Sequence, residues 1–341
     1  MKRKVFASVT ALILAVALFS TAPVKAQGGA AGAQAPPKIS DAEANLAEKI
    51  NSAPDAAAKL KVAAELIKKH PKTAIRGQVA QGIADSIQEV KDPTQKLALA
   101  QEFQTLFNDP ADEEAVAPIV IDAYADANQP DPAFAKGSDF LTRHPESLRV
   151  LVQLLAIGSA EAKKQNAKFL DQSIKYATQV IALAEADKKP ANVDDAGWQK
   201  FKTQTLPSVY QSLGLLYVSK GSRTEAKAQY TKASQLAPSD PFNFVMLAAL
   251  LNDEYQSAVT AQRALPSGAA KDAQFKKVQE KLDAVIDAYA RAVAVSEGNA
   301  SLQQLRQQYL EDLAMYYKYR HNNSADGMQQ LIDKYKVPAK P

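Results

Sequence analysis

From Ile39 onward, apolar and alanine positions recur three and four residues apart, the spacing of one helix face, and Pro, Gly, Asn or Asp breaks them at short intervals. Alternating runs of β-branched residues, which a half-buried strand would show, are missing. Ile119, Val120 and Ile121 come nearest to a strand, but they sit within EEAVAPIVIDAYADAN, whose acidic start suits a helix N-terminus. Pro118 in that stretch predicts a kink there, or a helix that begins only just before it. Helices read between breakers form hairpins over about 41–70, 73–108, 112–144, 147–187, 195–237, 242–297 and 300–336.

Several second helices end alike. KKHP, FNDP, TRHP and QLAP place Pro71, Pro110, Pro145 and Pro238 where a proline stops the helix and disfavours helical geometry just before it. The first three stand 39 and 35 residues apart, a period that signals a solenoid of repeats.

The segment 207–240, PSVYQSLGLLYVSKGSRTEAKAQYTKASQLAPSD, turns this pattern into a resemblance. Tyr210, Leu213, Gly214 and Tyr217 stand at the places of W-x2-L-G-x2-Y in a first helix. Ala226, Tyr230, Ala233 and Pro238 stand at those of a second helix and its stop. In this unbroken frame the chain resembles the tetratricopeptide repeat family, with aromatic exchanged for aromatic at Tyr210 and Tyr230. The residue types suit two closely packed antiparallel helices: Gly214, Ala226 and Ala233 let the backbones approach, and the tyrosines fill the gaps around them. Glycine inside a helix costs about 1 kcal/mol relative to alanine, so Gly214 implies a neighbour too close for a larger side chain.

The next unit, 241–298, keeps Phe244, Leu247, Ala248 and Leu251 in its first helix and Val285, Tyr289 and Ala292 in its second. The stretch between them is 25 residues longer, which predicts two lengthened helices around a turn at Pro266, Ser267 and Gly268. Upstream, Ala133, Gly137, Phe140 and Pro145 repeat the second-helix spacing, and the other pairs keep only the alternation. The expected fold is all-α, a right-handed α-solenoid of about seven antiparallel helix pairs over 39–341.

The N-terminus changes the picture of where such a chain works. Lys2, Arg3 and Lys4 precede an apolar run from Val5 to Phe19, and small residues lead to Ala26. That is the pattern of a secretory signal peptide over 1–26, cleaved after Ala26. Residues 27–38, QGGAAGAQAPPK, carry no apolar periodicity and read as a flexible linker. The expected location is periplasmic or secreted, with no integral membrane segment after cleavage. The chain has no cysteine, which excludes disulfides, thiolate metal sites and a thiol nucleophile. Without Lys2, Arg3, Lys4 and Lys25, 37 basic residues face 37 acidic ones, so no basic excess points to nucleic acid.

Motifs that carry chemistry are sparse. His70, His144 and His321 belong to no metal-ligand spacing, and the first two precede a helix-ending proline, where a ring can satisfy terminal carbonyls. Gly28, Gly29 and Gly32 follow no strand, and Lys220, Gly221 and Ser222 read as the turn of the clearest repeat; neither makes a phosphate loop. Asp194 and Asp195, ahead of Trp198, suit a helix N-terminus, and Trp198 suits a core or groove wall. Lys59, Lys61, Lys68, Lys69 and Lys72 read as a solvated face. The tripeptides at Asn299 and Asn322 match the N-glycosylation pattern, which decides nothing by itself.

No catalytic, cofactor or metal residue is therefore assigned. The resemblance implies a binding scaffold for a protein or peptide, held in a concave groove without catalysis. By the places that line such grooves in the family, it implies Gln211, Leu215 and Val218 in one repeat and Val245, Ala249 and Asn252 in the next. The Lys and Asn of the family's carboxylate-clamping members are replaced by Gln211 and Leu215. The alternative is an envelope enzyme acting on glycan through dispersed acid and base carboxylates on a helical solenoid.

Overall fold

The computed structural model describes residues 39–191 and 193–336. The expected signal peptide and linker lie outside the described residues. Within them the chain forms helices joined by short turns, with no strand, and divides into two compact units at Leu183 and Ala184.

The first unit holds α1 (Asp41–Ser52), α2 (Ala56–Lys69), α3 (Arg76–Gln88), α4 (Pro93–Leu106), α5 (Glu113–Asp126), α6 (Pro130–Arg143) and α7 (Leu148–Lys163). It also holds most of α8 (Leu170–Glu185). Local chemistry starts these helices where they start. Ser40 and Glu43 form a reciprocal capping box at α1, and Asp55 and Asp92 accept backbone N–H groups at α2 and α4. Pro93 and Pro130 open α4 and α6, where a missing N–H costs nothing.

Each helix packs on the next, and α1, α3, α5 and α7 also touch in series, so first helices line up beside one another. Leu60, Ile83, Ile87, Phe103, Phe107 and Ile119 are fully buried between the layers. Each such side chain contributes about 1.5–3 kcal/mol relative to exposure. Two seams are closed by glycine: a β-carbon at Gly137 on α6 would lie 2.7 Å from Leu154 on α7, and one at Gly158 on α7 would collide with Ser173 on α8.

Ile119, Val120 and Ile121 are helical, as their setting predicts. That helix starts at its acidic residues, as the 112–144 bounds predict, and not just before Pro118. A turn of tighter helix over Pro110–Asp112 leads directly into α5 at Glu113, so Pro118 falls in the second turn. There proline withholds one donor, that for the Glu114 carbonyl. His144 differs from the expectation: its backbone N–H bonds the Phe140 carbonyl, but its ring stacks on Phe140 at 4.4 Å. The ring reaches Glu113 at 3.3 Å rather than a terminal carbonyl, because two carboxylates at the start of α5 lie within range.

The second unit contains α9 (Asp195–Lys200), a π turn over Phe201–Thr205, α10 (Leu206–Lys220), α11 (Arg223–Leu236), α12 (Pro241–Ala264), α13 (Ala269–Val295), α14 (Gln303–Arg320) and α15 (Met328–Asp333). Asp194 caps α9 by accepting from the Gly197 N–H, as its position before Trp198 suggests. Trp198 is buried, stacked on Phe201 at 5.1 Å, and donates to Asp187. The lengthened pair is α12 and α13, 24 and 27 residues long, turning at Gly268 with φ +138°. That backbone conformation is one only glycine adopts readily.

Candidate protein-interaction site

The clearest repeat is α10 packed on α11. Gly214 lies buried at the seam, and a β-carbon there would stand 2.8 Å from the Tyr230 ring. Tyr230, Ala226 and Ala233 have no exposure, and Tyr210 and Leu213 are buried beside them. Tyr217 packs at the edge of the cluster formed by Ala226, Tyr230, Met246 and Leu250. The Tyr210 hydroxyl donates to Glu185 at 2.9 Å, and burial followed by that carboxylate pushes it up to about 12. Burial likewise raises Tyr230, whose hydroxyl has no hydrogen-bond partner. The ring is held there by packing alone. Pro238 follows the last residue of the cap, where α11 has already ended at Leu236.

The six groove positions separate into three groups. Gln211 is 6% exposed and donates to Asp240 at 2.6 Å, while Asp240 accepts from the Phe242 N–H at the start of α12. It is a strut between consecutive helix pairs and not an open contact. Val218 and Val245 are partly buried against two different apolar clusters, so they belong half to the core. Leu215, Ala249 and Asn252 remain partly exposed on the first helices α10 and α12.

A second feature escaped the sequence reading. Four large apolar side chains are exposed among the described residues: Leu236, Phe275, Met315 and Tyr319. Two of them, Met315 at 57% and Tyr319 at 71%, stand one turn apart on α14. Tyr316, on the same helix, stacks on Tyr289 of α13 at 5.8 Å. Tyr255 of α12 lies against Tyr319, and burial, then the charge and hydrogen bond of Tyr319, push it up to about 12. Met315 and Tyr319 thus form an open patch on α14, with Tyr255 buried and Tyr316 partly buried behind it. The signal was the run LAMYYKY, whose aromatic residues fall on more than one side of the helix and so give no clean amphipathic stripe.

This arrangement suits contact with another chain: aromatic area lies partly open, and phenol groups can both donate and accept. Among the described residues, no three His, Asp or Glu gather closely enough to hold a metal ion, and no helix is long and apolar enough to cross a membrane.

No protein-family model matches the chain, and no curated protein matches it. Among solved structures it is similar to a tetratricopeptide repeat protein from Parabacteroides merdae, at 10% identity over 86% of this chain and 98% of that one, with a TM-score of 0.42. It is also similar to a thermophilic TPR protein of Thermus thermophilus, at 17% identity over 69% of this chain and 99% of that one, with a TM-score of 0.39. By its own residues the chain is a tetratricopeptide-like run of antiparallel helix pairs, and the full pattern stands at the seam of Gly214 and Tyr230.

Proposed function

We propose that the protein is an exported, non-catalytic scaffold that holds a peptide or protein segment on the first-helix face of the second unit. The observation that carries this reading is the pair of large exposed side chains Met315 and Tyr319, one turn apart on α14. Exposed apolar area of that kind, set among polar groups, marks a partner site more often than chance exposure. Leu215, Ala249 and Asn252 supply a further partly open strip on α10 and α12. Export is supported by the basic, apolar and small-residue order of 1–26 and by the balanced charge of residues 27–341.

The test compares the protein with Tyr319→Ala combined with Met315→Ser. Both side chains are exposed, so the helical circular-dichroism signal and thermal midpoint should hold. Capture of a defined protein from envelope extract should fall at least about tenfold, as loss of central aromatic contacts does. Undiminished capture by a folded variant removes this face as the site. Release of sugar from purified envelope glycan by the unaltered protein would favour the enzymatic alternative.

A further inference from the structure

In the second unit, α12 and α13 continue past their buried part as a two-helix arm over 256–281, in which no residue is fully buried. The apolar seam that joins the pair runs on into this arm. Phe275 stands seven and fourteen residues before Leu282 and Tyr289, and so on the same side of α13. Leu282 and Tyr289 are buried, whereas Phe275 is 49% exposed. At the end of the arm, residues 264–270 include Leu265 and Pro266 and carry no charge, with Arg263 and Lys271 directly on either side.

Charge is spread unevenly along the arm. At its base, Arg223 is paired with Asp253 at 2.8 Å, and Glu254 holds both Lys227 and Lys281. Further out, Arg263, Lys271, Lys276 and Lys277 have no carboxylate within 4.0 Å among the described residues. Asp272 and Glu280 are the acidic residues of the arm, against five basic ones. Two such cationic ends repel, which argues against a second copy as the partner. An acidic peptide would need a cleft in which the cations converge. Lys276 and Lys277 instead leave α13 about 100° apart, and Arg263 stands on the other helix. The shallow hollow along α12, lined by Gln256, Ser257, Thr260, Ala261 and Ala264, contains none of them. A layer of lipid headgroups, by contrast, surrounds a projecting tip and meets cations on all its sides.

We infer that the end of the α12–α13 arm docks on an anionic lipid surface, with Leu265 and Phe275 entering the interface and Arg263, Lys271, Lys276 and Lys277 at the level of the phosphates. The dimensions agree. From Ala269 to Lys277 α13 rises about 12 Å, and an interfacial element sinks about 5–10 Å into the headgroup boundary. Lysine stems lie along apolar surface while their charged ends stay in water. With one aromatic ring and one leucine to bury, attraction between charges carries the contact, and salt weakens it. The docking end of the arm is separate from Met315 and Tyr319 on α14, so it holds or fails independently of the peptide-holding reading.

The test is sedimentation with vesicles of phosphatidylglycerol mixed into phosphatidylcholine, set against vesicles of phosphatidylcholine alone. The chain is prepared from residue 27 onward, which removes the apolar run of 5–19 and keeps every described residue. It should sediment with the anionic vesicles and not with the neutral ones, and about 1 M salt, where charges are screened within about 3 Å, should release it. Lys276→Gln with Lys277→Gln should weaken binding at least about tenfold, since each basic residue near an anionic leaflet counts about fivefold. Phe275→Ser should weaken it about tenfold as well. All three side chains are exposed, so the circular-dichroism signal should not change. Lys61→Gln with Lys68→Gln removes the same charge from the exposed face of α2 and should leave binding unaltered. Equal sedimentation with neutral vesicles, an equal loss from the two lysine pairs, or binding that survives the arm variants would overturn the proposal. Capture of poly-glutamate without sedimentation on vesicles would overturn it in favour of an acidic polypeptide.

Discussion

Gly214 and Tyr230 meet at a distance that leaves no room for a β-carbon: one built on Gly214 would sit 2.8 Å from the ring edge. Tyr230 is completely buried, so the ring cannot swing into solvent to make space. Alanine would gain about 1 kcal/mol of helix propensity, but overpacking costs about 1–3 kcal/mol. Gly214→Ala should therefore lower stability slightly and Gly214→Leu by at least about 2 kcal/mol, measured by urea unfolding. Gly82, in the middle of α3, has nothing within 4 Å of its built β-carbon. Gly82→Ala should stabilise by about 0.5–1 kcal/mol, and a loss there would show that propensity is not what these glycines trade.

The seam between α7 and α8 makes the same argument with a different partner. A β-carbon on Gly158 would collide with Ser173, whose hydroxyl is buried and donates to the Phe169 carbonyl. Gly158→Ala should cost about 1–3 kcal/mol. Pairing it with Ser173→Gly should recover much of that loss, a coupling read from a double-mutant cycle.

Arg76 and Asp112 form the most buried ion pair among the described residues, with side chains 14% and 2% exposed and hydrogen bonds of 2.7, 2.9 and 3.1 Å. The guanidinium also lies 5.3 Å from the Phe107 ring centroid. Removing one partner of a buried pair costs about 3–5 kcal/mol, and here Asp109 at 3.2 Å offers partial relief. Asp112→Ala should cost about 2–3 kcal/mol in chemical unfolding, and Asp109→Ala no more than about 0.5 kcal/mol.

Asp122 makes stability depend on pH in a direction opposite to most carboxylates. Its folded-state pKa of about 6 lies above the ordinary 3.8, so between those values the folded protein binds the extra proton. Its contribution is fully present below about pH 4 and is lost as pH rises through about 6. Relative to Asp122→Asn, the protein should lose about 1–2 kcal/mol from pH 4 to pH 7, by unfolding curves measured in parallel. Glu113 works the other way: hydrogen bonding from Arg143 holds it below its usual value, and its contribution is lost only in stronger acid.

The helix pairs and the tetratricopeptide seam were legible because they depend on what is near in sequence: apolar spacing, proline stops, and small residues opposite large rings at fixed places. Gln211 was misplaced because the position rule names a helix face but says nothing of Asp240, which reaches back 29 residues along the chain to bond it. His144 followed the same course, its ring drawn to Glu113 from another helix. The buried bond from Gln153 to the Pro118 carbonyl was unreadable too, since no spacing announces that α5 and α7 will lie side by side. Long-range polar meetings depend on the packed fold, and a linear pattern does not contain them.

The two lengthened helices carry a further consequence. The last buried residue before their turn is Tyr255 and the first after it is Leu282. No position between them is fully buried, and Phe275 is 49% exposed within that stretch. Two helices holding chiefly each other open at much lower free energy than those of a layered core. Amide hydrogens from about 256 to 281 should therefore exchange with solvent orders of magnitude faster than those at Val285, Tyr289 and Val293 on the same pair. Exchange divided in this way would make one continuous helix two kinetic domains, its far half opening many times while its near half stays folded.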